Sequence, residues 1–158
     1  LEKLRTAYRK LDDGAATDPV TGGLTRMELL RRLEAEVLRQ RRTGRSSALV
    51  MVGLGASESG VAERLDVIKT LADALKAEVR AMDVVGRWEP WTLLALLPET
   101  DEAGARCLVE RVRRRWDQIM EGRSDRPLPS WTTILLNVAS MEELLQRSGS
   151  EETRGTGS

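Results

Sequence analysis

The segment Asp83–Leu97, DVVGRWEPWTLLALL, constrains the fold more than any other part of the chain. Two short runs rich in β-formers, Asp83 to Trp88 and Trp91 to Leu97, flank Glu89-Pro90, a separation that suits a tight hairpin. Proline has a fixed φ and no N–H to give to a ladder, so Pro90 belongs in the turn and not inside a strand. An antiparallel pair is therefore set in the middle of the sequence, and the other elements must pack around it. Ser47 to Leu54 (SALVMVGL) is nearly continuously apolar, as expected of a strand covered on both faces or lying at a sheet centre. Trp131 to Val138 is rich in β-formers and supplies a fourth strand.

Helical periodicity fills the gaps between these strands. Thr25 with Glu28 three residues later forms a capping box that opens a helix to about Arg42, with Leu29, Leu30, Leu33 and Val37 inward. Val61 to Arg80 repeats the pattern through Leu65, Ile68, Leu71, Ala72, Leu75 and Val79. Thr100-Asp101-Glu102 starts a helix to about Met120, and Met141 to Gln146 forms a short one. Residues 1–14 read as a leading linker or signalling helix, with Leu4, Ala7, Tyr8 and Leu11 on one face. Too short to be stable alone, it suits an upstream coiled coil, which makes a homodimer an expected assembly. Residues 148–158 are polar and Gly-rich and are expected to be disordered. The core order is strand, helix, strand, strand, helix, strand. The expected fold is α+β, a ferredoxin-like βαββαβ core over 15–147 with helices on one face of an antiparallel sheet. Many unrelated activities share that architecture, so function has to come from a site.

Composition excludes several chemistries. Histidine is absent, which removes Ser-His-Asp and Cys-His catalysis and the usual zinc sites and leaves mainly carboxylate chemistry. Cys107 is the single cysteine, so no disulfide or thiolate metal site is expected, and its helical spacing with Ala103 and Leu108 predicts core packing. Acidic and basic residues balance at 25 each, which gives no overall pull towards nucleic acid. Of the 25 basic residues 21 are Arg, suited to planar, bidentate contact with phosphate or guanine, although a GC-rich genome also explains the count. No apolar run approaches the roughly 20 residues of a membrane span. The absence of a signal peptide predicts a cytoplasmic setting. The chain starts at Leu and not Met, as expected of a fragment of a longer protein attached to sensor or output domains.

Three stretches carry a resemblance. Asp18-Pro-Val-Thr-Gly-Gly-Leu-Thr-Arg26 resembles a D-x-L-T-G-L-x-N-R motif, with Asp18, Thr21, Gly22 and Arg26 in place. Arg80-Ala-Met-Asp83 is an R-x-x-D pair separated by five residues, VVGRW, from Glu89. Leu96-Leu97-Pro98-Glu99-Thr100, followed by Ala103, Ala105, Glu110 and Arg111, completes the set. Together they resemble the GGDEF family, diguanylate cyclases that make cyclic di-GMP from two GTP. The resemblance implies the ferredoxin-like core of the nucleotide-cyclase palm type.

The departures from the family pattern fall at the catalytic centre. The signature position reads Glu89-Pro90-Trp91-Thr92-Leu93 and has neither glycine. Glycine permits close backbone approach to a ligand, whereas Pro90 and Trp91 deny it by bulk. The metal-binding Asp that the family carries at the end of the first strand is replaced by Gly53 or Gly55. The family's N-D-x-x-G-H segment, which recognises the base, is missing. Phosphoryl transfer from GTP needs divalent cations held by carboxylates, and Glu89 is the only acid expected there. No catalytic residue, metal or cofactor is therefore expected.

The resemblance also implies an inhibitory site that binds the product, cyclic di-GMP, through R-x-x-D and an Arg from a neighbouring copy. Arg80, Asp83 and Arg111 are the candidates: an Arg fork pairs with guanine O6 and N7, and an Asp accepts from the N1 and N2 edge. Three R-x-x-D pairs occur, Arg9-Asp12, Arg80-Asp83 and Arg114-Asp117, and only the middle one has the right spacing. Arg80-Asp83 could equally be a solvated ion pair, and Arg111 to Arg115 an exposed helix face. The expected function is a catalytically inactive receptor for cyclic di-GMP; the alternative is a scaffold for dimerisation or partner docking that binds no nucleotide. Trp88 and Trp91 suit core or hairpin packing, with an exposed Trp91 as the alternative partner anchor.

Overall fold

The computed structural model describes residues 16–155, and side chains over 16–147. The leading helix expected at 1–14 lies outside the described residues. The elements run α1 (Arg26–Thr43), β1 (Ala48–Gly53), α2 (Val61–Glu78), β2 (Val84–Glu89), β3 (Thr92–Leu97), α3 (Glu102–Ile119), β4 (Ser130–Leu135) and α4 (Val138–Gly155). The four strands form one sheet in the order β2-β3-β1-β4, every neighbouring pair antiparallel. That is the expected α+β, ferredoxin-like arrangement.

Helices cover both faces of the sheet, which corrects the expectation of one. Alternate residues of the central strands divide between two cores. Val50 and Val52 of β1 and Leu93, Ala95 and Leu97 of β3 join Ile68, Leu71 and Leu75 of α2 and Leu108, Val112 and Trp116 of α3. Leu49 of β1 and Leu94 and Leu96 of β3 join Leu29, Leu33 and Val37 of α1 and Leu144 of α4. This explains the unbroken apolar runs: a strand buried on both faces has no side left for polar residues. On the α1 face the approach is so close that a Cβ at Gly86 would lie 2.6 Å from Leu29 Cδ1 and 2.8 Å from the Leu24 carbonyl.

Local chemistry sets the helix ends. The Thr25 hydroxyl accepts from Glu28 N as the capping box predicts, and Gly44 ends α1 at φ 70°, its N–H donating to the Gln40 carbonyl at 2.8 Å. β4 stops earlier and α4 starts earlier than the sequence suggests. Asn137 and Ser140 cap each other: Ser140 N donates to Asn137 Oδ1 at 2.8 Å and Asn137 N to Ser140 Oγ at 2.9 Å. This reciprocal box places Val138 in the helix. Once nucleated, the helix propagates at low cost to Gly155, well past Gln146 and through much of the stretch expected to be disordered from Ser148. Cys107 is exposed, against the expectation of core packing. The inward stripe of α3 runs through Ala105, Leu108, Val109, Val112 and Trp116, and Cys107 falls outside it.

Candidate functional site

The β2–β3 hairpin carries candidate residues at both ends. At its tip Glu89 pairs with Thr92, leaving Pro90-Trp91 as the two-residue turn, and the register shifts between Arg87 and Glu89. Arg87 braces this bulged tip: its Nε and Nη2 donate to the Pro90 carbonyl at 3.0 and 2.8 Å, and its Nη1 reaches Asp18 Oδ1 at 3.4 Å. Trp88 is buried against the α1 face, with the Arg26 guanidinium 4.5 Å from its ring centroid. Trp91 is partly buried on the opposite core and is not an exposed anchor. The Arg64 guanidinium lies 4.1 Å from its ring centroid while Arg64 Nη2 donates to the Gly55 carbonyl at 2.9 Å. Leu54 N donates to the Trp91 carbonyl at 2.8 Å, joining the end of β1 to the tip.

This corner opens into a cavity of about 470 Å³. Glu63, Arg64 and Asp66 of α2 line it, with Arg123, Asp125 and Arg126 of the loop after α3. The acids at 63 and 66 were not foreseen, since only Glu89 was expected nearby. Among the described residues, no group of three or more His, Cys, Asp or Glu side chains is gathered where it could hold a metal ion. At position 53 the vacancy is chemical and not steric. A Cβ there would meet Thr92 Oγ1 at 3.5 Å and the Trp91 carbonyl at 3.8 Å, both ordinary contacts, so a side chain could be accommodated. The residues of this corner do not fit the divalent cation that GTP chemistry requires.

At the base of the hairpin Arg80 and Asp83 are in direct contact. Arg80 N donates to Asp83 Oδ2 at 2.8 Å, and the guanidinium reaches the same carboxylate through Nε at 3.4 Å and Nη2 at 3.1 Å. Nη2 also donates to the Pro98 carbonyl at 2.9 Å and to Thr100 Oγ1 at 2.7 Å. The Asp83 side chain is only 3% exposed and the Arg80 side chain 51%, so the acid is the anchor and the guanidinium the accessible partner. Arg80 faces a shallow depression of about 550 Å³, whose wall also includes Arg45, Ser46, Glu99 and Thr100. Arg111 is not in that wall; its Nε lies 3.4 Å from Glu78 Oε2, and Arg115 shares the same carboxylate at 2.8 Å.

Two carboxylates near these corners are held below their ordinary range. At Asp18 burial pushes the pKa up, but hydrogen bonds from Thr21 N and Oγ1 at 2.9 and 2.8 Å, with Arg87 alongside, outweigh it and lower the value. At Glu36 burial again raises it, and bonds from Arg39 and Ser47 bring it down.

The comparisons with known proteins agree with this architecture. Residues 15–151 match the family described as diguanylate cyclase, GGDEF domain. The chain is a GGDEF domain. A curated relative, diguanylate cyclase DgcP of Pseudomonas aeruginosa, is 33% identical over 104 residues, which are 63% of this chain and 16% of the relative. Diguanylate cyclase SiaD of the same species, solved in complex with its activator SiaC, superposes with a TM-score of 0.70 at 24% identity, over 99% of this chain and 64% of that one. The GGDEF domain thus spans less than two thirds of either protein. The GGDEF domain of DgcB from Caulobacter crescentus, solved in complex with c-di-GMP, gives 0.73 at 15% identity over 90% and 92% of the two chains. At these identities the solved structures establish the fold alone. Arg45, Arg64 and Arg87 carry no signal in the sequence that marks them as site residues. Arg87 lay within the VVGRW spacer, and nothing local distinguishes Arg45 or Arg64 among 21 arginines.

Proposed function

We propose that this GGDEF domain synthesises no cyclic di-GMP and acts as its receptor through Arg80 and Asp83, with Arg111 offered to the ligand of a neighbouring copy. The observation that carries the proposal is the buried Asp83 carboxylate holding a half-exposed guanidinium at the wall of a surface depression. An arginine whose geometry is fixed beforehand loses little entropy on gripping a guanine edge or a phosphate. The c-di-GMP complex of the DgcB domain, which shares this fold, supports a ligand of that class. Loss of synthesis is supported at the other end of the hairpin. There a proline and a tryptophan form the turn, Arg64 lies over the tryptophan, and Gly53 stands where a cation would need a carboxylate.

Isothermal titration of cyclic di-GMP into the chain should show saturable binding that Arg80→Ala removes, while GTP with magnesium yields no product. Turnover of GTP would overturn the first half of the proposal and a silent titration the second. The scaffold reading gains support from one observation: Arg80 already binds Asp83, Pro98 and Thr100, and so serves the fold without a ligand. A silent titration combined with a concentration-independent dimer would favour it.

A further inference from the structure

We infer that Arg45 is a second ligand-gripping residue of the Arg80 depression, held in reserve by Glu99. This rests on the receptor reading of that corner. Arg45 follows the Gly44 cap of α1, 35 positions from Arg80 in sequence, yet both residues line one depression. The Pro98-Glu99-Thr100 turn joins them. Glu99 has φ 53°, the only positive φ outside glycine among the described residues. Such a conformation persists only where surrounding bonds fix it. Here Glu99 N donates to Ser47 Oγ at 3.4 Å, while Pro98 O and Thr100 Oγ1 on either side bind Arg80. The Glu99 carboxylate Oε1 is left between Arg45 Nη1 at 3.1 Å and Arg39 Nη1 at 3.4 Å.

The two arginines of Glu99 are not equivalent. Arg39 is committed elsewhere: its Nε and Nη2 bind both oxygens of buried Glu36, at 3.0 and 2.8 Å. Arg45 has Glu99 as its described ion-pair partner, and its side chain is 67% exposed. An exposed pair of this kind is weak. A phosphate brought into the depression by a guanine gripped at Arg80 can therefore draw Arg45 away, and Glu99 keeps Arg39 as its counter-ion. Arg45 thus supplies the phosphate contact and Arg80 the base contact of one cyclic dinucleotide, from a single copy of the chain. Glu99 weakens binding by competing for Arg45.

Titration of cyclic di-GMP into the full chain and its variants tests this. Arg45→Ala should weaken binding about tenfold, the loss of one charge-assisted hydrogen bond at a half-exposed site. Arg45→Lys should recover only part of it, and Arg42→Ala, an exposed arginine outside the depression, should match the wild type. Glu99→Gln should tighten binding several-fold and make it less sensitive to Arg45 replacement. Wild-type binding that Arg45→Ala leaves within about twofold would overturn the inference and leave the receptor reading standing. No binding by the wild type would remove both. Unchanged melting of Arg45→Ala is expected and separates lost contact from lost fold.

Discussion

The two ends of the β2–β3 hairpin are built from the same pair of six-residue strands and yet use arginine in opposite ways. At the tip, Arg87 and Arg64 point their hydrogen bonds back into the protein, onto the carbonyls of Pro90 and Gly55, and close the corner around Trp91. At the base, Arg80 is braced from behind by a buried acid and keeps half its surface accessible, with Arg45 on the same wall. The strands between these ends are about 20 Å long and are packed on both faces. One end can therefore change its chemistry without disturbing the other. An enzyme built on such a hairpin can lose its catalytic corner and keep a ligand corner, because the rigid ladder separates them.

The most severe way to break this comparison is to remove the footing of the tip. Trp88→Ala deletes a large buried ring and should cost about 3–5 kcal/mol, which for a chain of this size is a fall in Tm of roughly 10 °C. The folded fraction should still bind cyclic di-GMP with wild-type affinity; a parallel loss of affinity, measured at a temperature where the variant is folded, would show the two ends to be coupled. Arg80→Ala should do the reverse. Binding should fall at least tenfold, while stability changes by only about 1 kcal/mol, because Asp83 keeps the bond from the residue 80 N–H. A large drop in Tm would mark the pair as mainly structural.

A smaller effect concerns pH. The Asp18 carboxyl has a folded pKa below its unfolded value, so its contribution is fully present above about pH 4 and is lost as pH falls through the lower folded value. Asp18→Asn should lower stability at neutral pH by about 1 kcal/mol and flatten the acid limb of a Tm-against-pH profile. An unchanged profile would remove Asp18 from the brace at Arg87. The smallest expected change is at the corner itself. Arg64→Ala should cost about 0.5–1 kcal/mol through the lost contact with Trp91 and red-shift tryptophan emission, and it should restore no GTP turnover.

The fold was legible in the sequence wherever the signal was local and periodic. Thr25 with Glu28, the stripe from Ile68 to Leu75 and the proline of the hairpin each fix an element through neighbours a few residues away, although the turn falls at Pro90-Trp91, one residue later than the expected Glu89-Pro90. The misplaced end of the last strand has the same kind of cause: Asn137 and Ser140 form a cap that the β-branched run before them obscures. Arg80 and Asp83 were legible as a pair because only two residues separate them and their distance to the turn is fixed. Arg45, Arg64 and Glu99 were not, because each owes its role to a residue far along the chain.

The sequence by itself determined that four strands and their helices form this family's sheet, and that the turn at Glu89-Pro90-Trp91 carries no glycine. Hydrophobic period and turn chemistry act over a few residues and can be read in line. Only the tertiary structure decided that helices close both faces, that Cys107 faces outward and that Arg45 shares a wall with Arg80. Those outcomes depend on how separate elements dock, and docking brings together side chains that no local pattern relates.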